Sequence, residues 1–242
     1  MMKYMKKIFA LIGSRRKEGN TIKFVKNITE KLNEEEFEIE YEFPQDYKIQ
    51  PCVGCNSCFV NNHCINKDDI ELLQQKILES DLFIISSPVY LHYFTADLKL
   101  MLDKMAWWSH TFRLQGKPVV IISTCDTNGN TTVIKPLGKI ITFMGGNVIA
   151  TANASYLPNQ INNPEWLSEV SQEIAKRIVK YVNMPPQSNA DIEKVFPITK
   201  EMVMQQSNAK EIFGIEPGEY NYWKDTGMLE FDSFEKYLKS IH

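Results

Sequence analysis

Lys7-Ile8-Phe9-Ala10-Leu11-Ile12-Gly13-Ser14-Arg15-Arg16-Lys17-Glu18-Gly19-Asn20-Thr21 decides how this chain folds. A short apolar run ended by glycine reads as a buried parallel strand, and the pattern over about 21–32 reads as a helix. A strand, a short polar loop and a helix start form an anion site. Unpaired N–H groups and the positive end of the helix dipole point at whatever sits there. Ser14, Asn20 and Thr21 add short donors, and Arg15, Arg16 or Lys17 adds charge. The loop is neither a Walker loop nor a G-x-G-x-x-G fingerprint. An ordinary surface turn is the competing reading.

The alternation repeats downstream. Residues 37–43 alternate acidic with apolar or aromatic side chains, as a strand with one solvated face does. Further strands are expected over 81–86, 117–123 and 147–154. Helices are expected from Asp68-Asp69, from Thr95 through about Trp108, over 131–144 to the Gly145-Gly146 stop, and from Pro164 to about Val182. Five strands alternating with helices predict an α/β fold with an open, doubly wound, five-stranded parallel sheet. The loops after strands one, three and four then share the carboxyl edge, where such sheets bind ligands. The second of these loops is aromatic (Tyr90, Tyr93, Phe94) and the third, 124–130, is small and polar. A phosphorylated planar ligand is implied. Simple packing is the competing account of the tyrosines.

Four of the five cysteines fall between Cys52 and Cys64, at spacing C-x2-C-x2-C-x5-C. Thiolates are soft ligands that suit zinc, Cu(I) and iron–sulfur clusters. Zinc sites of four cysteines usually carry two C-x2-C pairs with a long spacer. The compact run here is closer to a loop around a [4Fe–4S] cube. It differs from the bacterial ferredoxin run in its longer last spacer and in Ile65 where proline would stand. Zinc, redox thiols and inert thiols remain the other readings. The fifth, Cys125, reads first as a small buried residue.

The chain has 242 residues, 43% hydrophobic, with a net charge of −3. This suits one domain with an appendage, and gives no electrostatic reason to expect nucleic acid or an acidic membrane. The basic start, 1–7, precedes an apolar run too short for a signal peptide and lacking a small-residue cleavage site. A cytoplasmic protein with reduced thiols is expected. Pro185-Pro186 breaks the chain. Residues 1–183 read as the ligand-binding domain with a cysteine loop at 51–65, and 184–242 as an extension. The extension contains a helix over about 191–206 and several aromatics. It packs on its own subunit or on a neighbour.

The sequence Gly13-Ser14 … Arg16 … Gly19-Asn20-Thr21 resembles the FMN phosphate loop of the flavodoxin-like NAD(P)H-dependent FMN reductases. Ser87-Pro88-Val89-Tyr90 … Leu98-Lys99 … Leu102-Asp103-Lys104 resembles that family's second motif. The cysteine stretch followed by Lys67-Asp68-Asp69 is similar to the cluster motif of its iron–sulfur flavoprotein branch. The resemblance covers about 6–180. It implies a flavodoxin-like fold with FMN held at its phosphate by Ser14, Arg16, Gly19, Asn20 and Thr21. It places the flavin ring against Pro88, Val89, Tyr90 and Leu91, with Thr124, Asp126 and Gly129 closing the other side. It assigns a [4Fe–4S] cluster to Cys52, Cys55, Cys58 and Cys64. It further implies NAD(P)H or a ferredoxin-type protein as donor, a small-molecule acceptor, and a homodimer or homotetramer. Departures are His92-Tyr93 where many members have Gly-Ser, Lys104 for the more usual Arg, and the long tail. His92 and Tyr93 are the candidate proton donors. Three functions follow: electron transfer between cluster and FMN, a cluster-free NAD(P)H-dependent FMN, quinone or nitro reductase, or a metal-ordered binding or sensor module.

Overall fold

In the computed structural model, which describes residues 5–242, β1 (Lys6–Ile12) is buried from Ile8 onward. The first residues of the basic start, 1–4, lie outside the described residues. Side chains of β1 divide with period two. Ile8, Ala10 and Ile12 enter one apolar layer, and Phe9 and Leu11 enter the other. A strand buried on both faces belongs inside a covered parallel sheet. It pairs with β2 (Phe37–Glu42) on one side and β3 (Leu82–Pro88) on the other. With β4 (Pro118–Cys125) and β5 (Asn147–Ser155) the order is β2-β1-β3-β4-β5, all parallel. This is the flavodoxin-like doubly wound arrangement, whose switch point lies between β1 and β3.

Helices α1 (Asn20–Thr29), α2 (Ser57–Asn61), α3 (Ile70–Glu79), α4 (Ala96–Asp103), α5 (Trp108–Thr111), α6 (Thr131–Phe143) and α7 (Pro164–Val182) follow in chain order. α1 and α7 cover one face through Phe24, Val25, Ile28, Ile174 and Ile178. α3, α4 and α6 cover the other through Leu73, Ile77, Leu98, Met101, Leu137 and Ile141. α7 starts on Pro164, and the Asn163 side chain caps it by accepting from Trp166 N.

One expected helix is corrected. Thr95 caps a helix as read, accepting from Leu98 N, but that helix ends at Asp103 rather than Trp108. Lys104 turns inward to a buried ion pair with Asp68. Turns then carry the chain to α5.

The extension forms α8 (Ala190–Met204), α9 (Ala209–Phe213), α10 (Gly218–Asp225) and α11 (Phe234–Ile241). It builds a third apolar cluster from Ile192, Phe196, Trp223, Phe234, Tyr237 and Leu238, closed by Phe112 from the end of α5. Phe112 lies edge-on to Phe196 at 5.5 Å and to Trp223 at 5.7 Å. Side chains from both sides of the Pro185-Pro186 break thus share one apolar cluster. Among the described residues no helix is long and apolar enough to cross a membrane.

Candidate flavin and thiol site

The loop after β1 is pinned before it reaches a ligand. Gly13 donates its N–H to Ser86 O at 2.7 Å, and Thr95 Oγ1 donates to Gly13 O at 2.8 Å. A Cβ on Gly13 would lie 2.6 Å from Ser86 O, so only glycine lets β1 and β3 close at the switch point. Of the three basic side chains, Arg15 is spent on a two-pronged pair with Asp97, both bonds at 2.8 Å. The guanidinium hydrogen bonds hold the Asp97 carboxyl below the usual range. Lys17 pairs with Asp46. Arg16 has no ion-pair partner among the described residues, and it lines a cavity of about 200 Å³ with Ser14, Gly19, Asn20 and Thr21. Gly19, the N-cap of α1, offers no side-chain cap, so the first-turn N–H groups face this cavity without one. An unpaired cation and uncapped amides form a complete anion cradle. On these observations the residues fit an FMN phosphate.

Pro88, Val89 and Tyr90 at the end of β3 form the next wall, and Thr124, Cys125 and Asp126 at the end of β4 form the last. Val89 N donates to Thr124 O at 2.8 Å, and the hydroxyls of Thr21 and Thr124 meet at 2.7 Å. Three loops are thereby bonded to one another around the cavity. Leu91 and Gly129, expected in the lining, are not part of it. Leu91 sits at the tip of a two-residue turn closed by Tyr90 and Tyr93 and is 97% exposed. Gly129, at φ +90°, packs behind the cavity, where a Cβ would strike Val89. Leu91 and His92 both adopt left-handed backbone, at φ 46° and 58°. This costs roughly 1–2 kcal/mol per residue, and such strain gathers at functional loops. His92 lies beside Gly129, and Tyr93 packs on Phe94 at 4.3 Å. Cys125 joins the lining against the simpler reading, and Asn153 Nδ2 donates to its sulfur at 3.5 Å. Asn153 gave no sequence signal.

The cysteine loop leaves edge strand β2 and is tied at its neck. Asp68 accepts from Gln50 N at 2.9 Å, from Ile70 N at 3.2 Å and from Lys104 Nζ, while Asp69 accepts from Lys48 N at 2.6 Å. Burial alone would push the Asp68 carboxyl up. The hydrogen bonds from Lys104, Gln50 and Ile70 and the lysine charge outweigh it and hold the group below its usual range. Within the loop, Gly54, Asn56 and Asn62 take left-handed backbone. Cys58 and Cys64 rest half-buried on the same apolar layer as Val89 and Phe94. Cys52 and Cys55 are exposed. Burial pushes the Cys58 thiol up, and the charges of Cys52, Cys64 and Cys55 add to it. Hydrogen bonds from Ser57 lower the Cys55 thiol. The four sulfurs are thus electrostatic neighbours with the right donor chemistry. Among the described residues, however, no three metal-binding side chains converge as ligands of one ion.

Size does not select the site. A larger cavity, about 470 Å³, opens at the amino edge of the sheet beside Lys6, Asp81 and Lys117. There Lys117 Nζ donates to Ser80 O and Leu78 O at the end of α3, a helix-capping task.

An anion cradle, a wall of Pro88, Val89 and Tyr90 and a polar wall meet at the switch point of a doubly wound sheet, a setting suited to a flavin-dependent oxidoreductase of flavodoxin-like fold. The model of the NADPH-dependent FMN reductase family matches residues 6–156, and the chain belongs to that family. It is 26% identical over 227 residues to an iron-sulfur flavoprotein of Archaeoglobus fulgidus, covering 92% of this chain and all of that one. It is 26% identical over 189 residues to an iron-sulfur flavoprotein of Methanocaldococcus jannaschii, covering 74% and 98%. Among solved structures it is similar in fold to RosB with a bound flavin intermediate. The TM-score is 0.61 at 15% identity, covering 85% of this chain and 87% of that one.

Proposed function

We propose that this protein is an iron–sulfur flavoprotein in which Cys52, Cys55, Cys58 and Cys64 carry a [4Fe–4S] cluster that exchanges electrons with FMN in the switch-point cavity. NAD(P)H or a ferredoxin-type protein supplies the electrons, a small molecule takes them, and the working form is a homodimer or homotetramer. The observation that carries the reading is four thiols in one loop whose neck is fastened by a buried ion pair. The names of the full-length relatives support it. FMN, when bound, joins one-electron carriers to two-electron acceptors, while the protein supplies binding and orientation. Arg16, Ser14 and the α1 amides hold the phosphate, and Val89 and Tyr90 orient the ring. Burial of Cys58 and Cys64 limits solvent access to the sulfurs, which tunes a cluster's potential.

The test is anaerobic purification with flavin, iron and acid-labile sulfide counted per chain. About four irons and four sulfides per FMN are expected. Flavin with neither iron nor sulfide would leave a cluster-free NAD(P)H-dependent reductase. The exposure of Cys52 and Cys55 favours that second reading. Bleaching of the flavin by NAD(P)H in iron-free protein would support it. The metal-ordered binding module has no observation in its favour once the enzyme family is established.

A further inference from the structure

The crest of the cysteine loop, unlike its neck, is held by the extension. α10 lies directly on α2. Gly218 is so close to it that a Cβ would sit 1.9 Å from Val60 O, and Asn62 Nδ2 donates to Gly218 O at 2.7 Å. The next residue, Glu219, is 2% exposed. One carboxylate oxygen meets His110 Nδ1 at 2.7 Å, and the other accepts from Gln206 Nε2 at 2.7 Å. The His110 ring in turn stacks on Phe59 at 5.1 Å and 23°, and Phe59 follows Cys58 in sequence. Trp223, one helical turn beyond Glu219, donates its indole N–H to His110 O at 2.7 Å. The chain of contact therefore runs from the extension's buried core through α5 to Phe59, the residue after the third of the loop's four cysteines.

Its construction is specific. A buried carboxylate is costly unless its oxygens are bonded. Both oxygens of Glu219 are bonded, one to α5 and one to the turn after α8. A five-residue helix such as α2 has too few internal hydrogen bonds to stand alone, and both of its ends turn through left-handed asparagines. It needs an external support, and α10 supplies one. No residue of the extension lines the flavin cavity, so this support is separate from flavin binding.

We propose that the C-terminal extension is a brace for the cysteine loop, with Gly218, Glu219 and His110 as positioning residues that hold α2 and fix the setting of Cys58 and Cys64. As a brace for a metal site it rests on the iron–sulfur reading above. As a brace for the loop it stands on the contacts alone.

The experiment uses the full chain with FMN bound and the thiols metal-free. Iodoacetamide labelling of each cysteine is followed by peptide mass spectrometry in the native protein, in Gly218→Ala and in Glu219→Gln. Gly218→Ala drives α10 off the Val60 carbonyl, and Glu219→Gln keeps the shape but weakens the His110 contact. Both variants are expected to label Cys58 and Cys64 about tenfold faster or more, as a local opening made easier would allow. Cys125, in the flavin cavity, is expected to label at an unchanged rate, and FMN affinity is expected to stay the same. A merely destabilised fold would raise Cys125 labelling and release FMN as well, and that result overturns the proposal. Unchanged labelling of Cys58 and Cys64 in both variants also overturns it. Iron uptake by the native protein is scored separately. If the native chain takes up no iron and sulfide, the cluster reading falls while the labelling still decides the brace. If it does take them up, faster loss of iron to a chelator from Gly218→Ala extends the brace to the loaded site.

Discussion

Arg16 is the residue on which we propose that cofactor choice turns. Arg15 and Lys17 neighbour it in sequence, yet each is already paired with an acid. An unpaired guanidinium beside uncapped helix amides recognises a dianion, and a charge-assisted hydrogen bond contributes about 1.5–3 kcal/mol. Arg16→Ala is therefore expected to weaken FMN binding roughly 10- to 100-fold while leaving riboflavin, which lacks the phosphate, almost unaffected. Paired fluorescence titrations measure both, and an equal loss for the two ligands would remove Arg16 from the phosphate site. A second residue-scale expectation concerns Lys117. Burial lowers its amine to about 8 from 10.5. Between those values the unfolded chain binds the extra proton, so this group makes stability rise with pH across about 8 to 10.5. The full change is on the order of 3 kcal/mol. Lys117→Met is expected to flatten that rise relative to the native chain in urea melts at pH 7.5 and 10. Parallel pH profiles for the two proteins would count against it.

At the scale of elements, the segment from α4 to β4 organises everything outside the sheet. Lys104 holds the neck of the cysteine loop through Asp68, His110 meets its crest through Phe59, and Phe112 closes the core of the extension. The Lys104–Asp68 side chains are 0% and 3% exposed, so removing one partner strands a buried charge, at a cost of about 3–5 kcal/mol. Asp68→Asn is expected to lose stability on that order, and Asp68→Asn with Lys104→Met to recover part of it. Denaturant midpoints for the single and double variants check this, and additive losses would mean that the pair is not coupled. Little of this segment was legible in the sequence. The strands and the β1 loop were, because glycine punctuation and apolar runs are local signals. Residues 95–108 contain no glycine or proline to mark the break after Asp103. The partner that Lys104 turns to at that break, Asp68, lies 36 positions away. Likewise His110 finds Glu219 across 109 positions, and no periodicity in either stretch announces the contact. That the loop after β1 lines the switch-point cavity could be read from its neighbours in sequence. Arg16 could be singled out from Arg15 and Lys17 only once their acidic partners were in view.

For the whole molecule, the question is whether 184–242 folds apart from the sheet or with it. Phe112, fully buried, belongs to the first 183 residues by sequence and to the extension's core by packing. Gln115 reaches Tyr237 Oη at 3.2 Å, and Arg113 lies between the rings of Trp107 and Tyr222 at 5.3 and 5.1 Å. The main-chain N–H of Gln187 donates to Gly116 O at 3.3 Å, and Asn189 Nδ2 donates to Asn147 Oδ1 at 2.9 Å. Aromatic, cationic and backbone bonds all cross the boundary, so the extension and the sheet are expected to melt together in one cooperative transition. Exposing Phe112 alone removes about 1.5–3 kcal/mol of apolar burial. For a chain of this length, that lowers the melting temperature by roughly 3–12 °C. Truncation after residue 183 is therefore expected to give a less stable protein that still binds FMN, since the switch-point cavity is lined only by residues before 127. Calorimetry of the full chain, with melting and flavin titration of the truncated one, tests both parts. Two separated transitions in the full chain, or a truncated chain as stable as the original, would make the extension an independent appendage. A truncated chain that melts lower yet keeps FMN would confine its role to supporting the fold and the cysteine loop.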